Sequence, residues 1–188
     1  TYYTDYATHA YVLTQGIVMR GHKPYMHKLQ VIGGDGTLHE VINALHQNQL
    51  DIPVTYVPAG TGNDFNRVWQ KDKSIRQIIE TMLFAREAIR IPIFTYEEHV
   101  TQSKGVILNS MGFGFDAEAN YAAGKMPFGK FLSKANLGNL TYLLAVFSTL
   151  NKIKDFNAFL TIDGKEIELQ NCNLLSIMNN PFIGGGIK

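Results

Sequence analysis

A short apolar run, a cluster of glycines and an amphipathic pattern follow one another without interruption from Leu29 to Gln47, and few folds accommodate that order. Leu29-Gln30-Val31-Ile32 reads as a strand, and Leu38, Val41, Ile42 and Leu45 recur at the i, i+3, i+4, i+7 spacing of a helix with one buried face. Between them stands Gly33-Gly34-Asp35-Gly36-Thr37. Thr37 and Glu40 have the spacing of a Ser/Thr-x-x-Glu capping box, which predicts that the threonine hydroxyl and the carboxylate satisfy the first helical amides. A strand, a glycine loop and a capped helix make up the first part of a βαβ unit.

The order then repeats. Val54-Thr55-Tyr56-Val57 is a β-branched run, Pro58 to Asn63 a glycine-containing loop, and Asp64 to Gln70 a short helix. Ser74 and Gln77 offer a second capping box ahead of Ile75, Ile78, Ile79, Met82 and Leu83, a helix with an apolar stripe. Strands alternating with helices imply a mostly parallel sheet covered by helices. Beyond about Arg90 the texture becomes β-rich, with strands expected at Gly105 to Asn109 and Phe156 to Ile162. Asp163-Gly164 supplies the two-residue turn that hairpins prefer, with Lys165 to Leu169 as the return strand, and one helix is expected from about Leu140 to Leu150. The boundary is expected near residue 90, with an α/β domain over 1–90 and a β-rich domain over 91–188.

Charge and cysteine content narrow the function. Seventeen basic against sixteen acidic side chains leave a net charge of +1, with no basic stripe that would hold a nucleic acid. Cys172 is the only cysteine, so no internal disulfide and no four-thiolate zinc site can form, and a cytoplasmic location is expected. The longest apolar stretch, Tyr142 to Phe147, falls far below the roughly 20 residues that cross a bilayer. The chain opens on Thr1 and stops in Gly184-Gly185-Gly186-Ile187-Lys188, so further sequence is expected beyond both ends.

Two readings fit the first glycine loop. Glycines let a backbone approach a ligand closely, and a helix N-terminus adds partial positive charge, which together make a phosphate cradle. Asp35 would then require a cation between itself and the phosphates, pointing to magnesium. The alternative is a tight turn in which Asp35 serves as a local cap. The second loop, Pro58-Ala59-Gly60-Thr61-Gly62-Asn63-Asp64-Phe65, weighs toward the cradle, because in an open α/β sheet both loops leave at the strands' carboxyl ends, where ligands bind. No Walker-type Gly-Lys-Ser/Thr is present, so a lysine-centred phosphate loop is excluded. Gly112-Phe113-Gly114-Phe115-Asp116-Ala117 has dinucleotide-type spacing but lies in β-rich sequence without the helix that such a site needs.

Val31 to Asn43, followed about twenty residues later by Pro58 to Arg67, resembles the diacylglycerol kinase catalytic domain of soluble bacterial lipid kinases. The first motif is shared with NAD kinases and, less closely, with phosphofructokinases; the second singles out the lipid kinases. Asn109 to Asp116 is similar to that family's strand entering the second domain, and Asn179 to Ile187 to its late glycine-rich loop. His39 stands where Asn is usual and Asn66 where a small residue is usual. The resemblance implies an N-terminal Rossmann-like three-layer domain with a parallel sheet, a β-sandwich-like second domain that accepts the lipid, and a cleft between them. It implies that ATP is held by Gly33, Gly34, Asp35, Gly36, Thr37, Gly60, Thr61, Gly62, Asn63 and Thr4, with Asp35 at the magnesium site. The family's early Asn-Pro-x-x-Gly segment, its late acidic metal loop and its Asp-Gly-Glu base motif are absent, so the general base is expected outside this chain; Asp163-Gly164-Lys165 reads as a hairpin turn instead.

The expected activity is transfer of ATP's γ-phosphate to a hydroxyl of diacylglycerol or a related lipid, with an NAD kinase-like enzyme or a catalytically silent nucleotide-binding protein as alternatives. The expected partners are the lipid substrate and a transient peripheral contact with a membrane surface, for which Lys125, Lys130 and Lys134 interleave with Met126, Pro127, Phe128, Phe131 and Leu132. A homodimer is left open. His39 and His46 are read as surface histidines, Trp69 as a boundary aromatic and Cys172 as an inert buried thiol.

Overall fold

The computed structural model describes residues 1–21, 29–71, 73–85, 87–114 and 155–182 of the 188-residue chain. The expected helix near Leu140 to Leu150, the basic and apolar segment from Lys125 to Lys134, and the terminal glycines lie outside the described residues. The elements run α1 (His9–Met19), β1 (Leu29–Gly33), α2 (Asp35–Gln47), β2 (Val54–Pro58), α3 (Asp64–Trp69), α4 (Ile75–Phe84), β3 (Phe94–Glu98), β4 (Ser103–Ile107), β5 (Ser110–Gly114), β6 (Phe156–Ile162), β7 (Lys165–Cys172) and β8 (Leu174–Met178). Helices alternate with parallel strands in the first part and antiparallel strands fill the second, as expected of a mixed α/β chain with a β-rich end.

Two compact units divide the chain, Thr1–Asn109 and Ser110–Lys188. The division falls later than the change of texture near residue 90. The reason is visible in the β3–β4 hairpin, whose Val106, Ile107 and Leu108 are buried and whose Val106 amide donates to Asn43 Oδ1 of α2 at 3.0 Å. Leu108 completes a core shared with Ala10, Val31, Leu38, Val41, Leu45, Ile52 and Tyr56. The stripe read from the sequence of α2 is the face that packs here, with Leu38, Val41, Ala44 and Leu45 all buried. Burying a leucine contributes about 1.5–3 kcal/mol, so this face is a principal source of the first unit's stability.

Both capping boxes can be checked. Ser74 and Gln77 form theirs: the Ser74 hydroxyl accepts from the Gln77 amide and the Gln77 side chain accepts from the Ser74 amide. The box expected at Thr37 and Glu40 does not form, because α2 starts three residues earlier than it requires, with Gly34 as the N-cap and Thr37 already inside the first turn. Glu40 is committed elsewhere. Its carboxylate accepts from the amides of Thr8 (2.8 Å) and Ala10 (3.0 Å) at the start of α1. On α4 only Ile78 of the expected stripe is buried, while Ile75, Ile79 and Leu83 stay exposed.

In the second unit, β5 pairs antiparallel with β8 and β6 with β7. Asp163 and Gly164 both take positive φ, 50° and 79°, the conformation that a type I′ hairpin turn needs. Gly112 and Gly114 sit within strand β5, which removes the dinucleotide-type reading of that stretch. Cys172, expected to be buried, is only half-buried at the end of β7.

Candidate functional site

The site begins with strand register. β1 and β2 are parallel neighbours, paired from Leu29↔Val54 through to Gly33↔Pro58, so the two glycine loops leave the sheet side by side. The Ala59 amide donates to the Gly33 carbonyl at 2.8 Å, carrying the pairing one step past the strands. Beyond it the two backbones nearly touch. A Cβ on Gly34 would lie 3.3 Å from the Gly60 Cα, and a Cβ on Gly60 would collide with Gly34. These two glycines are required by the contact between the loops themselves.

Side chains reinforce that contact. Asp35, the first residue of α2, accepts from the amides of Asp64 (3.0 Å) and Phe65 (3.1 Å), one on each carboxylate oxygen, and so caps α3 from across the site. Of the two readings of this residue, the capping geometry is the one seen, though the helix capped is α3. Asn63 adopts a left-handed backbone, φ 54°, and staples the second loop. Its Oδ1 accepts from the Gly60 amide (3.0 Å) and the Tyr56 hydroxyl (3.2 Å), and its Nδ2 donates to the Gly60 carbonyl (2.9 Å). Asp64, 7% exposed, accepts from Arg67 Nη1 at 2.6 Å, and the same nitrogen donates to the Gly62 carbonyl.

The electrostatics follow from this packing. Tyr56 lies beneath the loops and is buried; burial above all, and then the carboxylates of Asp35 and Asp64, push its phenol well above the ordinary tyrosine range. On α2, His39 is held below its ordinary pKa by desolvation, which the neighbouring Glu40 partly offsets. Its Nε2 meets the Asn43 side-chain amide at 2.9 Å.

Thr37 lies against Gly33: a Cβ there would be 2.9 Å from Thr37 Oγ1. Gly36 has open space around its Cα, and Thr61 is exposed at the tip of the second loop. Gly33 to Thr37 and Gly60 to Asn63 are therefore gathered at one sheet edge. Thr4 lies in the exposed segment ahead of α1, whose start is tied to α2 through Glu40. Sequence reading missed Tyr56 and Arg67 as members of this network. The i, i+3 spacing of Asp64 and Arg67 on a short helix was the available signal for their ion pair.

One helix start is left open. Glu40 occupies amides at the start of α1, Asp35 those of α3, and the Ser74–Gln77 box those of α4. Among the described residues no side chain caps α2. Its first-turn amides have no partner inside the helix, and they carry the positive end of a 13-residue helix dipole at the first glycine loop. A metal is less well provided for, since no group of three His, Cys, Asp or Glu side chains comes together among the described residues. Both oxygens of Asp35 already accept backbone amides, and Asp64 is paired with Arg67. The described side chains thus do not form a magnesium cage.

Comparisons with known proteins point to one family. The family model described as "Diacylglycerol kinase catalytic domain" matches residues 1–94. A Bacillus subtilis (strain 168) protein named "Putative lipid kinase YtlR" is 31% identical over 192 residues, an alignment that covers 100% of this chain and 60% of that protein. A Staphylococcus epidermidis (strain ATCC 12228) relative bearing the same general name is 32% identical over 161 residues, covering 84% of this chain and 47% of its own. The chain thus spans 60% or less of the length of these relatives. The crystal structure titled as a diacylglycerol kinase from Bacillus anthracis str. Sterne superposes with a TM-score of 0.60 at 24% identity, over 98% of this chain and 54% of that one, a likeness of fold.

Proposed function

The chain belongs to the diacylglycerol kinase catalytic-domain family, and from that premise we propose that the protein transfers the γ-phosphate of ATP to a hydroxyl of diacylglycerol or a chemically related lipid. The observation that carries this reading is the uncapped start of α2 beside the touching glycine loops. Every other described helix start has a side chain on its amides, and a phosphate oxygen is the partner that this one lacks.

Phosphoryl transfer asks a protein mainly to hold the triphosphate in line and to neutralise the charge that spreads over its oxygens. The α2 amides of Asp35, Gly36 and Thr37 supply oriented donors, and Gly36, with open space around its Cα, leaves room beside them for a phosphate. Asp35 and Asp64 would repel that charge if they were bare; the α3 amides on the one and Arg67 on the other blunt them. Asn63 and Tyr56 keep the second loop in shape while the phosphates change geometry. Thr61, exposed at the loop tip, is free to reach a nucleotide from the other side. No described helix is long and apolar enough to cross a membrane.

The test is a radiolabelled ATP assay offering the protein diacylglycerol, phosphatidylglycerol, a sphingoid base and NAD in parallel. Label is expected in an organic-soluble product from diacylglycerol or another of the lipids. Label in NADP alone would replace the reading with a nucleotide kinase, and none in any product would replace it with a silent binder.

A further inference from the structure

We infer that Asp35 works as a positioning residue, a clasp that sets the second glycine loop against the first, and not as a ligand of a divalent cation. This rests on the proposed kinase reading, and it changes the role of the residue that such a reading would first hand to the metal.

The geometry leaves α3 dependent on this side chain. Asn63 precedes the helix and would ordinarily cap it, but it is left-handed and its side chain is turned back on Gly60 and Tyr56. The first two amides of α3, those of Asp64 and Phe65, therefore need an acceptor from elsewhere. Asp35 provides one oxygen to each, at 3.0 and 3.1 Å, across 29 and 30 residues of sequence. Such charge-assisted bonds are roughly twice as strong as neutral ones. Asp35 directly follows Gly34, while Asp64 and Phe65 stand four and five residues past Gly60, so the loops are held at two points, by backbone packing and by the carboxylate.

A metal-ligating carboxylate would show a different pattern. It would aim oxygens at a shared point with other acids, yet no third acid is gathered here among the described residues, and Asp64 is turned to Arg67. What Asp35 controls is the spacing of the two loops on which a triphosphate would lie, and a displacement of about 1 Å in such a cradle can cost on the order of a hundredfold in rate.

Two isosteric or near-isosteric variants separate the roles. Asp35→Asn keeps one acceptor and turns the other into a donor. ADP binding is measured by calorimetry with Mg2+ and again in EDTA, alongside amide hydrogen exchange at Asp64 and Phe65. We expect affinity to fall by about tenfold in both buffers, with faster exchange at those two amides and unchanged exchange in β1 and β2. Loss confined to the Mg2+ buffer, with exchange unaltered, overturns the assignment. Asp35→Glu retains the charge and any affinity for a cation but moves the oxygens by one methylene. It is expected to lose affinity as Asp35→Asn does, and wild-type binding by Asp35→Glu also overturns it. If the unaltered protein binds no ADP in either buffer, the kinase reading falls, while the exchange rates at Asp64 and Phe65 still decide on the clasp.

Discussion

Asn63 shows how much one residue can be asked to do. It accepts a left-handed backbone that costs most residues about 1 kcal/mol, and it then uses both ends of its amide to close the loop over Tyr56. Asn63→Ala should therefore destabilise the protein by about 2–3 kcal/mol in urea unfolding, and Asn63→Gly by clearly less, since glycine keeps the backbone and loses only the bonds. Equal losses for the two would show that the left-handed turn contributes nothing. Tyr56 makes a pH prediction. Its folded pKa lies above the ordinary value of 10.0, so between pH 10.0 and the raised pKa the folded state holds a proton that the unfolded chain has released. Its contribution is thus intact below pH 10.0 and declines as pH rises, by at most about 1.4 kcal/mol per pH unit. Unfolding measured from pH 9 to 11 should show a shallower alkaline decline in Tyr56→Phe than in the parent, and superimposable curves would contradict the assignment. These contacts were not legible beforehand. They join residues across the site by side-chain direction, which neither periodicity nor motif spacing records.

At the scale of elements, α2 supplies carboxylates to two of its neighbours, Asp35 to α3 and Glu40 to α1. Its strand, its glycine loop and its buried face could all be read from sequence, because apolar spacing follows directly from helix geometry. Its capping could not. Thr37 and Glu40 have the right types at the right interval, but a local motif competes with any longer-range partner, and here the amides of Thr8 and Ala10 win the carboxylate. Glu40→Ala is accordingly expected to cost about 1–2 kcal/mol, with hydrogen exchange loosened at the start of α1 and not at the start of α2. The opposite distribution would restore the local box. Ser74→Ala, at a box that does form, should cost about 1 kcal/mol and fray α4 alone. Leu38, 1% exposed on the packed face of α2, should cost about 2–5 kcal/mol when cut to alanine, as buried leucines do.

For the whole molecule, the fold class was open to inspection in the order of its strands and helices, and the position of the division between units was not. The β3–β4 hairpin has the alternating texture of the second unit, yet it is claimed by the first through Asn43 and the burial of Leu108. Texture reports what a segment can become; only packing decides which core receives it. If the glycine loops do hold a nucleotide, the folded state gains stability by mass action, about 2.7 kcal/mol when ADP stands at a hundred times its dissociation constant. The melting temperature should then climb steadily with ADP concentration, and a melt indifferent to ADP would count against the proposed site. The parallel register of β1 and β2 adds a constraint of another kind. Because Gly33 faces Pro58 across the ladder, one residue inserted into either strand would slide its tip past the other by about 3.3 Å, parting Gly34 from Gly60 and reversing the side-chain faces. Evolution is therefore freer to exchange the amino acids of these strands than to alter their lengths, and relatives that keep both loops should keep the count of residues leading into each.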